Sequence, residues 1–440
     1  MRANIVKEIQ SRFSDHYDDF FIEEELVEKT TIFLIGFNTL VDLAKSKLFV
    51  QQMADSSASV KALFKNLSDR INIDTEQLIQ GILEGNLVIV SQDGKQNVVV
   101  DPIVKNLRSS ISEPKNESPI QSSTDAFGDD INTNVGMIRK RLSTASLCHC
   151  SYQVGELEKR KISMLYIKGR TPKALIEKVN EQLKGINTDI ETIDDLNLQF
   201  GKRRLSPVSH LSATELPIQA IHSLKENRIV LFLDNCPFAL VFPNLIWDML
   251  GGINDRNFPF ILSFMLRFFR VIGLVATLIL PALYVALVSV NPEVFKLDLA
   301  LFVAKSREGI PLSAFLETIA MVVLVDLILE AIVRLPKSVG PAITMVGGII
   351  LGQAMVEAKL VSNLLVIVIT AVVIASSAVI GMQNSLYIRL LKYPILILAS
   401  LFGILGVCTG FIITIIYLAS LTSNDVPYMT FRIKQEGETK

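Results

Sequence analysis

The composition of the chain changes abruptly near Phe258, and that break limits what it can fold into. Residues 1–257 mix charges of both signs, whereas 258–421 is a series of long apolar runs. Residues 271–290 hold no charge in 20 positions, 361–381 none in 21 and 393–421 none in 29. A helix needs about 20 apolar residues to cross a hydrocarbon core of ~30 Å, so each run is long enough. The expected fold class is an α/β cytosolic region followed by an all-α polytopic transmembrane region, with a lipid bilayer as its solvent. Five apolar segments are read at 261–290, 314–335, 339–358, 361–381 and 393–421. Arg256, Arg267 and Arg270 precede the 271–290 run, which places the N-terminal half in the cytoplasm by the positive-inside rule. No apolar leader stands at the N-terminus, so no signal peptide is expected. A formal net charge of −1 and the lack of a basic stripe give no reason to expect nucleic acid. The four cysteines form no disulfide-like framework, which suits a reducing compartment.

The soluble half reads as two similar α/β subdomains, 1–108 and 125–257, joined by a Ser/Pro/Glu-rich linker at 109–124 (SSISEPKNESPIQSST). IQGILEGNLVIVSQDGKQNVVVDP (79–102) and IHSLKENRIVLFLDNCPFALVFP (221–243) share one plan. Each has a helix end, a turn at Glu84-Gly85-Asn86 or Glu226-Asn227-Arg228, and a β-branched strand. A second turn at Asp93-Gly94 or Asp234-Asn235, another strand and a proline follow. Upstream, each piece has a strand and an amphipathic helix: 31–37 with 39–47, and 163–168 with 172–183. A duplication accounts for this, as does chance recurrence of a common helix–hairpin unit.

Site chemistry in the soluble half is sparse. Cys148-His149-Cys150 hints at a metal, but a structural zinc site needs four ligands at wider spacing and no second cluster completes it. No phosphate-binding glycine loop, nucleophile elbow or HExxH helix is present. No catalytic residue, metal or cofactor is therefore expected.

Polar groups in the apolar half are more informative. Glu317, Asp326, Glu330 and Arg334 lie in or beside the second segment; the last three are spaced by four and share a face, so Glu330 and Arg334 can pair. Ionisable groups inside a membrane are expensive and often mark an ion or substrate path. Gln353 and Glu357 on the third segment, with Thr370, Ser376 and Ser377 on the fourth, are further candidates for such a path. Gly340, Thr344, Gly348 and Gly352 form a small-residue stripe, repeated by Gly406 and Gly410, and such stripes let helix backbones approach closely. The third segment either spans or re-enters. Five crossings put the tail (423–440) on the far side and four put it in the cytoplasm; Arg432, Lys434 and Lys440 favour the second, Arg389 and Lys392 the first.

Several long motifs in order give the chain a resemblance to a known family. They are RSSISEPKNESPI (108–120), DAFGDDINTNVGMIRKRL (125–142) with Asn134 and Arg139 to Arg141, SREGIPLSAFLE (306–317), EAIVRLPKSVGPAITMVGGIILGQAMVEAKLVS (330–362), FGILGVCTG (402–410) and VPY (426–428). The chain resembles the A subunits of bacterial spore germinant receptors, the GerA family, from about residue 83 to 428. It departs from the family pattern at Leu329, Ile332, 244–258 and Ser-Asn-Asp 423–425. The resemblance implies a non-enzymatic, multi-pass protein of the spore inner membrane with its N-terminal domain cytoplasmic. It further implies a homo-oligomer (a ring) that works with a permease-like B subunit and a lipoprotein C subunit as a nutrient-gated cation channel. A secondary transporter and a membrane-anchored scaffold with cytosolic interaction domains are the alternatives.

Overall fold

The four turns predicted from local sequence all take left-handed backbone: Gly85 (φ 93°), Gly94 (66°), Asn227 (67°) and Asn235 (56°). Gly94 and Asn235 close two hairpins of one design, and Gly85 and Asn227 lead the preceding helix into each. The structure, a computed structural model, describes residues 4–433 except 14–15, 28–29, 57–59, 69–70, 102–124, 205, 335–347, 349, 351, 381 and 432. The expected linker, Gly340, Thr344 and residues 432 and 434–440 of the C-terminal tail lie outside the described residues.

The first unit runs α1 (Asn4–Arg12), β1 (Phe20–Val27), β2 (Thr30–Phe37), α2 (Leu43–Asp55), α3 (Val60–Leu67), α4 (Thr75–Glu84), β3 (Leu87–Ser91) and β4 (Asn97–Val100). The second runs α5 (Ile131–Arg141), β5 (Leu147–Val154), β6 (Arg160–Ile167), α6 (Lys173–Lys184), α7 (Ile193–Gln199), β7 (Ser212–Thr214), α8 (Pro217–Lys225), β8 (Ile229–Leu233) and β9 (Ala239–Phe242). Their antiparallel sheets are ordered β1-β2-β3-β4 and β5-β6-β8-β9-β7. The shared plan is therefore hairpin, helices, hairpin, with one extra edge strand in the second unit. Three strands of these units escape the sequence reading, the short edge strand β7 among them. β1 carries Glu23, Glu24 and Glu25 on an edge, and β5 holds Cys148-His149-Cys150. The first crossover helix begins at Leu43 rather than 39, because Asp42 caps it by accepting from Lys45 N at 3.2 Å.

The two units share a core. Tyr17, just before β1, bridges to His149 on β5, and buried residues from both sheets, including Phe37, Val88, Cys148 and Met164, belong to one apolar cluster. At this seam Asp19 is gripped by Arg139 through two bonds of 2.7 Å, Nε to Oδ2 and Nη2 to Oδ1. Thr39 Oγ1 donates to Asp19 Oδ2 at 2.9 Å, and the guanidinium lies over the Phe37 ring, 4.0 Å from its centroid. Both charged side chains are almost fully buried. Asn134, the neighbouring motif residue, closes the loop before α5 by bonding both N and O of Gly128.

In the apolar half, α9 (Phe260–Val285) carries on through a wider turn at Ala286–Val290. It is followed by α10 (Leu297–Ser306), α11 (Ala314–Arg334), α12 (Asn363–Ser376) and the helical run α13 (Met382–Ser420). Residues 352–357 of the third expected segment are helical. Added Cβ atoms on Gly348 and Gly352 would meet nothing within 4 Å, so among the described residues no helix packs on them.

The largest correction concerns 393–421, which was expected to cross once. α13 is broken at Gly403, where φ 60° and ψ −135° belong to a region open essentially to glycine alone. A Cβ on Gly410 would lie 3.1 Å from Ile395 Cα, and one on Gly406 would overlap Leu398 O. In an unbroken helix residues fifteen apart are about 22 Å apart, so 404–420 folds back along 382–402. Asn291 secures the reversal, its Oδ1 accepting from Ile404 N at 3.0 Å.

The Asp19–Arg139 pair generates a prediction. Burial by itself would raise the Asp19 carboxyl, but Arg139 and a hydrogen bond with His149 outweigh it and hold the group well below its ordinary 3.8. A depressed folded value means the pair's contribution is present above about pH 4 and is lost as pH falls further. Arg139→Ala leaves a buried carboxylate without its partner and should cost about 3–5 kcal/mol. Thermal unfolding of the detergent-purified chain should show this loss at pH 7 and a much smaller difference from wild type near pH 2.

Candidate functional site

Seen from the α/β units, the helical bundle has a near end and a far end. At the near end, Arg270 of α9 donates to Leu250 O (3.1 Å) and to Asp255 Oδ1 (2.8 Å), and Ile380 N, beyond α12, donates to Met249 O at 3.0 Å. Asp255 is buried, which would raise its carboxyl, yet the bond from Arg270 pulls it below the usual carboxylate range. Arg228, at the entry to β8, reaches Asp248 at 2.5 Å and Glu226 at 3.1 Å. The stretch 246–255 thus touches the second α/β unit, α9 and the α12–α13 connection at once.

The far end is tied by Glu317, whose side chain is fully buried. Its Oε1 accepts from Ser362 N at 2.7 Å and from Tyr284 OH at 3.4 Å, while Arg307 Nε reaches Oε2 at 3.3 Å. Ser362 caps α12, its Oγ accepting from Leu365 N at 3.1 Å and lying 2.9 Å from Tyr284 OH. Four segments meet on one carboxylate: α9, the end of α10, α11 and the start of α12. Arg307 and Glu317 are the first and last charged residues of the SREGIPLSAFLE motif, which makes that motif a folded clasp. Arg307 also donates to Leu312 O at 3.1 Å, bending the loop between them.

Between the two ends lies a second charged cluster. Asp326 on α11 accepts from Lys392 Nζ at 3.0 Å and from Tyr393 OH at 2.6 Å, both on α13. Lys392 is buried and Asp326 partly so. A cavity of about 10 Å³, at the lower limit for one water molecule, adjoins them and is lined also by Thr277, Ser376 and Arg389. Arg389 Nε is buried there without a hydrogen-bond partner. α9 and α12 cross tightly beside it, since a Cβ on Gly273 would come within 2.9 Å of Ala375 O.

The structure therefore divides the candidate residues. Asp326 and Ser376 converge on the cavity. Glu317 belongs to the far-end clasp. Glu330, Gln353, Glu357, Thr370 and Ser377 are exposed on the surface of the bundle. Gly406 and Gly410 line the fold-back of α13. Arg334, the expected partner of Glu330, has its side chain outside the described residues. Sequence reasoning missed Lys392, Tyr393, Arg307 and Tyr284. A signal existed for Lys392: it and Arg389 are the only charged residues between 381 and 421, and an isolated cation in an apolar run calls for an anion elsewhere. The fold-back puts residues 382–392 toward the near end of the bundle. In the soluble half, His149 Nε2 lies 3.0 Å from Ser163 Oγ, and Cys148, Cys150 and Cys236 are buried thiols. Among the described residues no group of three or more metal-ligating side chains assembles.

Among the described residues, two helical runs are long and apolar enough to cross a membrane by length and composition: Phe260–Val290, of 31 residues, and Leu386–Ser420, of 35 residues, which contains the break at Gly403.

If Glu317 is the clasp that its contacts describe, Glu317→Ala should lower stability by about 3–5 kcal/mol, since it strands Arg307 and Ser362 N. Glu317→Gln keeps an acceptor for Ser362 N and should lose clearly less. Thermal melts of the two purified variants check the ranking, and equal losses would contradict it.

A family model described as Bacillus/Clostridium GerA spore germination protein matches residues 7–439. The uncharacterized membrane protein YfkQ of Bacillus subtilis (strain 168) is 33% identical over 350 residues, which cover 79% of this chain and 68% of that protein. Spore germination protein GerLA of Bacillus cereus is 28% identical over 441 residues, covering 97% and 89%. Among solved structures, the N-terminal domain of the A subunit of the Bacillus megaterium spore germinant receptor GerK3 aligns with a TM-score of 0.41 at 17% identity, over 55% of this chain and 94% of that one.

Proposed function

The chain belongs to the Bacillus/Clostridium GerA spore germination protein family, and from that premise we propose that it is the membrane subunit of a germinant receptor, several copies of which ring a nutrient-gated cation path in the spore inner membrane. The observation that carries this reading is the Asp326–Lys392–Tyr393 cluster. Charged groups at membrane depth are expensive and are retained where they serve a path or a gate. This one sits where α11 meets the outgoing half of α13, beside Thr277 and Ser376 and a cavity of water size. The exposed Glu330, Gln353, Glu357, Thr370 and Ser377 are polar groups on an otherwise apolar surface, which suits a path completed by neighbouring copies. Carboxylates along such a path bias it toward cations. A permease-like B subunit and a lipoprotein C subunit are the expected partners, with nutrient recognition on the former.

The same geometry supports a topology with an even number of crossings and the tail on the face of the α/β units, because α9 starts and 404–420 ends at the near end. With native cysteines replaced, single cysteines at Lys95 and Thr430 should react with an impermeant thiol reagent from one side of the membrane, and one at Glu293 from the other. Labelling of 95 and 430 from opposite sides would refute the arrangement.

The path assignment needs a variant that keeps the pair. Asp326→Asn alone leaves Lys392 buried without its anion and should reduce accumulation as well as activity. The exchanged pair Asp326→Lys with Lys392→Asp preserves attraction but moves the carboxylate onto α13. Its spores should contain normal amounts of protein and lose most nutrient-triggered cation release. Full release from the exchanged pair would show that the cluster is only a structural tie.

A further inference from the structure

After its last helix the chain turns back onto the second α/β unit. Tyr417 OH meets Ser206 Oγ at 3.0 Å, and a short hairpin pairs Thr422–Ser423 with Val426–Pro427. Its turn residues Asn424 and Asp425 have φ of 46° and 65°. The hairpin tip lies on α6, where Gln182 and Asn424 exchange amide hydrogen bonds of 3.1 and 2.7 Å and Lys178 pairs with Asp425. Further along, Ile246 N donates to Tyr428 O at 3.0 Å and Trp247 Nε1 to Met429 O at 3.2 Å. Trp247, the single tryptophan of the chain, stacks on Phe431 with ring centroids 4.1 Å apart. Asn227, in its left-handed turn, donates to Ile433 O at 2.8 Å.

This strap has two unlike parts. Its anchor is firm: Tyr428 and Ile433 are 4% and 5% exposed, and backbone groups on both sides are satisfied. Its tip is not. The Lys178 and Asp425 side chains are 43% and 84% exposed, and such surface pairs are worth about 0–1 kcal/mol. A two-stranded hairpin has little stability of its own. Val426 of the hairpin packs on the apolar cluster of the α/β units, but the turn residues sit over a cleft of about 410 Å³, lined by Lys178, Gln182, Phe200, His210, Asn424 and Asp425. His210 Nδ1 is buried beside it with no partner.

We propose that the hairpin tip is a latch that opens and closes over this cleft while Tyr428 and Ile433 stay docked. Closed, it ties the lower end of 404–420 to α6, so the returning helix follows the second α/β unit. Open, it releases that end from α6, leaving Tyr417 on Ser206 and the anchor in place. The inference concerns motion within one chain and does not depend on the path assigned to Asp326.

Hydrogen exchange on the full chain in detergent tests it, with Trp247 emission reporting the anchor. Asp425→Lys sets like charges against Lys178 and should speed amide exchange several-fold across 411–427 while leaving Trp247 emission unchanged. A Gln182→Cys with Asn424→Cys disulfide, with native cysteines replaced by alanine, should slow exchange at 422–427 below wild type, and reductant should restore it. Two results overturn the latch: wild-type exchange already as slow as the cross-linked form, or a shift in Trp247 emission with Asp425→Lys.

Discussion

The reversal at Gly403 is the constraint on which the arrangement of the apolar half depends. A side chain there would collide with Asn291 and would need a backbone conformation that only glycine takes readily. Because the chain turns back at this point, its end returns to the α/β units. The tail can then meet Ile246 and Trp247. An unbroken helix of the same sequence would carry it away from both. The glycines at 406 and 410 make the return close enough for backbones to touch, so one short motif supplies both the corner and the packing of the two arms.

Polar contacts, rather than apolar ones, hold the segments of the bundle in register. Apolar side chains pack nearly as well against lipid as against each other, so they specify little about which helix lies where. Glu317 fixes the far end, Asp326 with Lys392 the middle, and Arg270 with Asp255 the near end. Each joins segments distant in sequence, and each would be left with an unmet charge in the wrong arrangement. The stretch 246–255 gathers the near-end contacts, so displacement of the second α/β unit acts directly on α9 and on the connection leading into α13.

Local features were readable from the sequence and long-range ones were not. The turns at Gly85, Gly94, Asn227 and Asn235 follow from residues that tolerate left-handed backbone, and the hairpins follow from the β-branched runs around them. β1 was hidden because three consecutive glutamates mask an edge strand whose outer face meets water. The Asp19–Arg139 pair spans 120 residues, and no local pattern announces it. Arg307 and Glu317 were visible as a motif, but only folding shows that its two ends close on each other. Gly403 was hidden for a different reason: in a uniformly apolar run, a glycine at a corner looks the same as one at a helix contact.

The seam between the α/β units also bears on how the protein is made. The first unit leaves the ribosome with Asp19 already positioned beneath Phe37, but the guanidinium that neutralises it is encoded 120 residues later. Until α5 and β5 have emerged, that carboxylate has only Thr39 of its own unit and water to face, and no cation. The two units are therefore halves of one cooperative body whose closure waits on synthesis of the second.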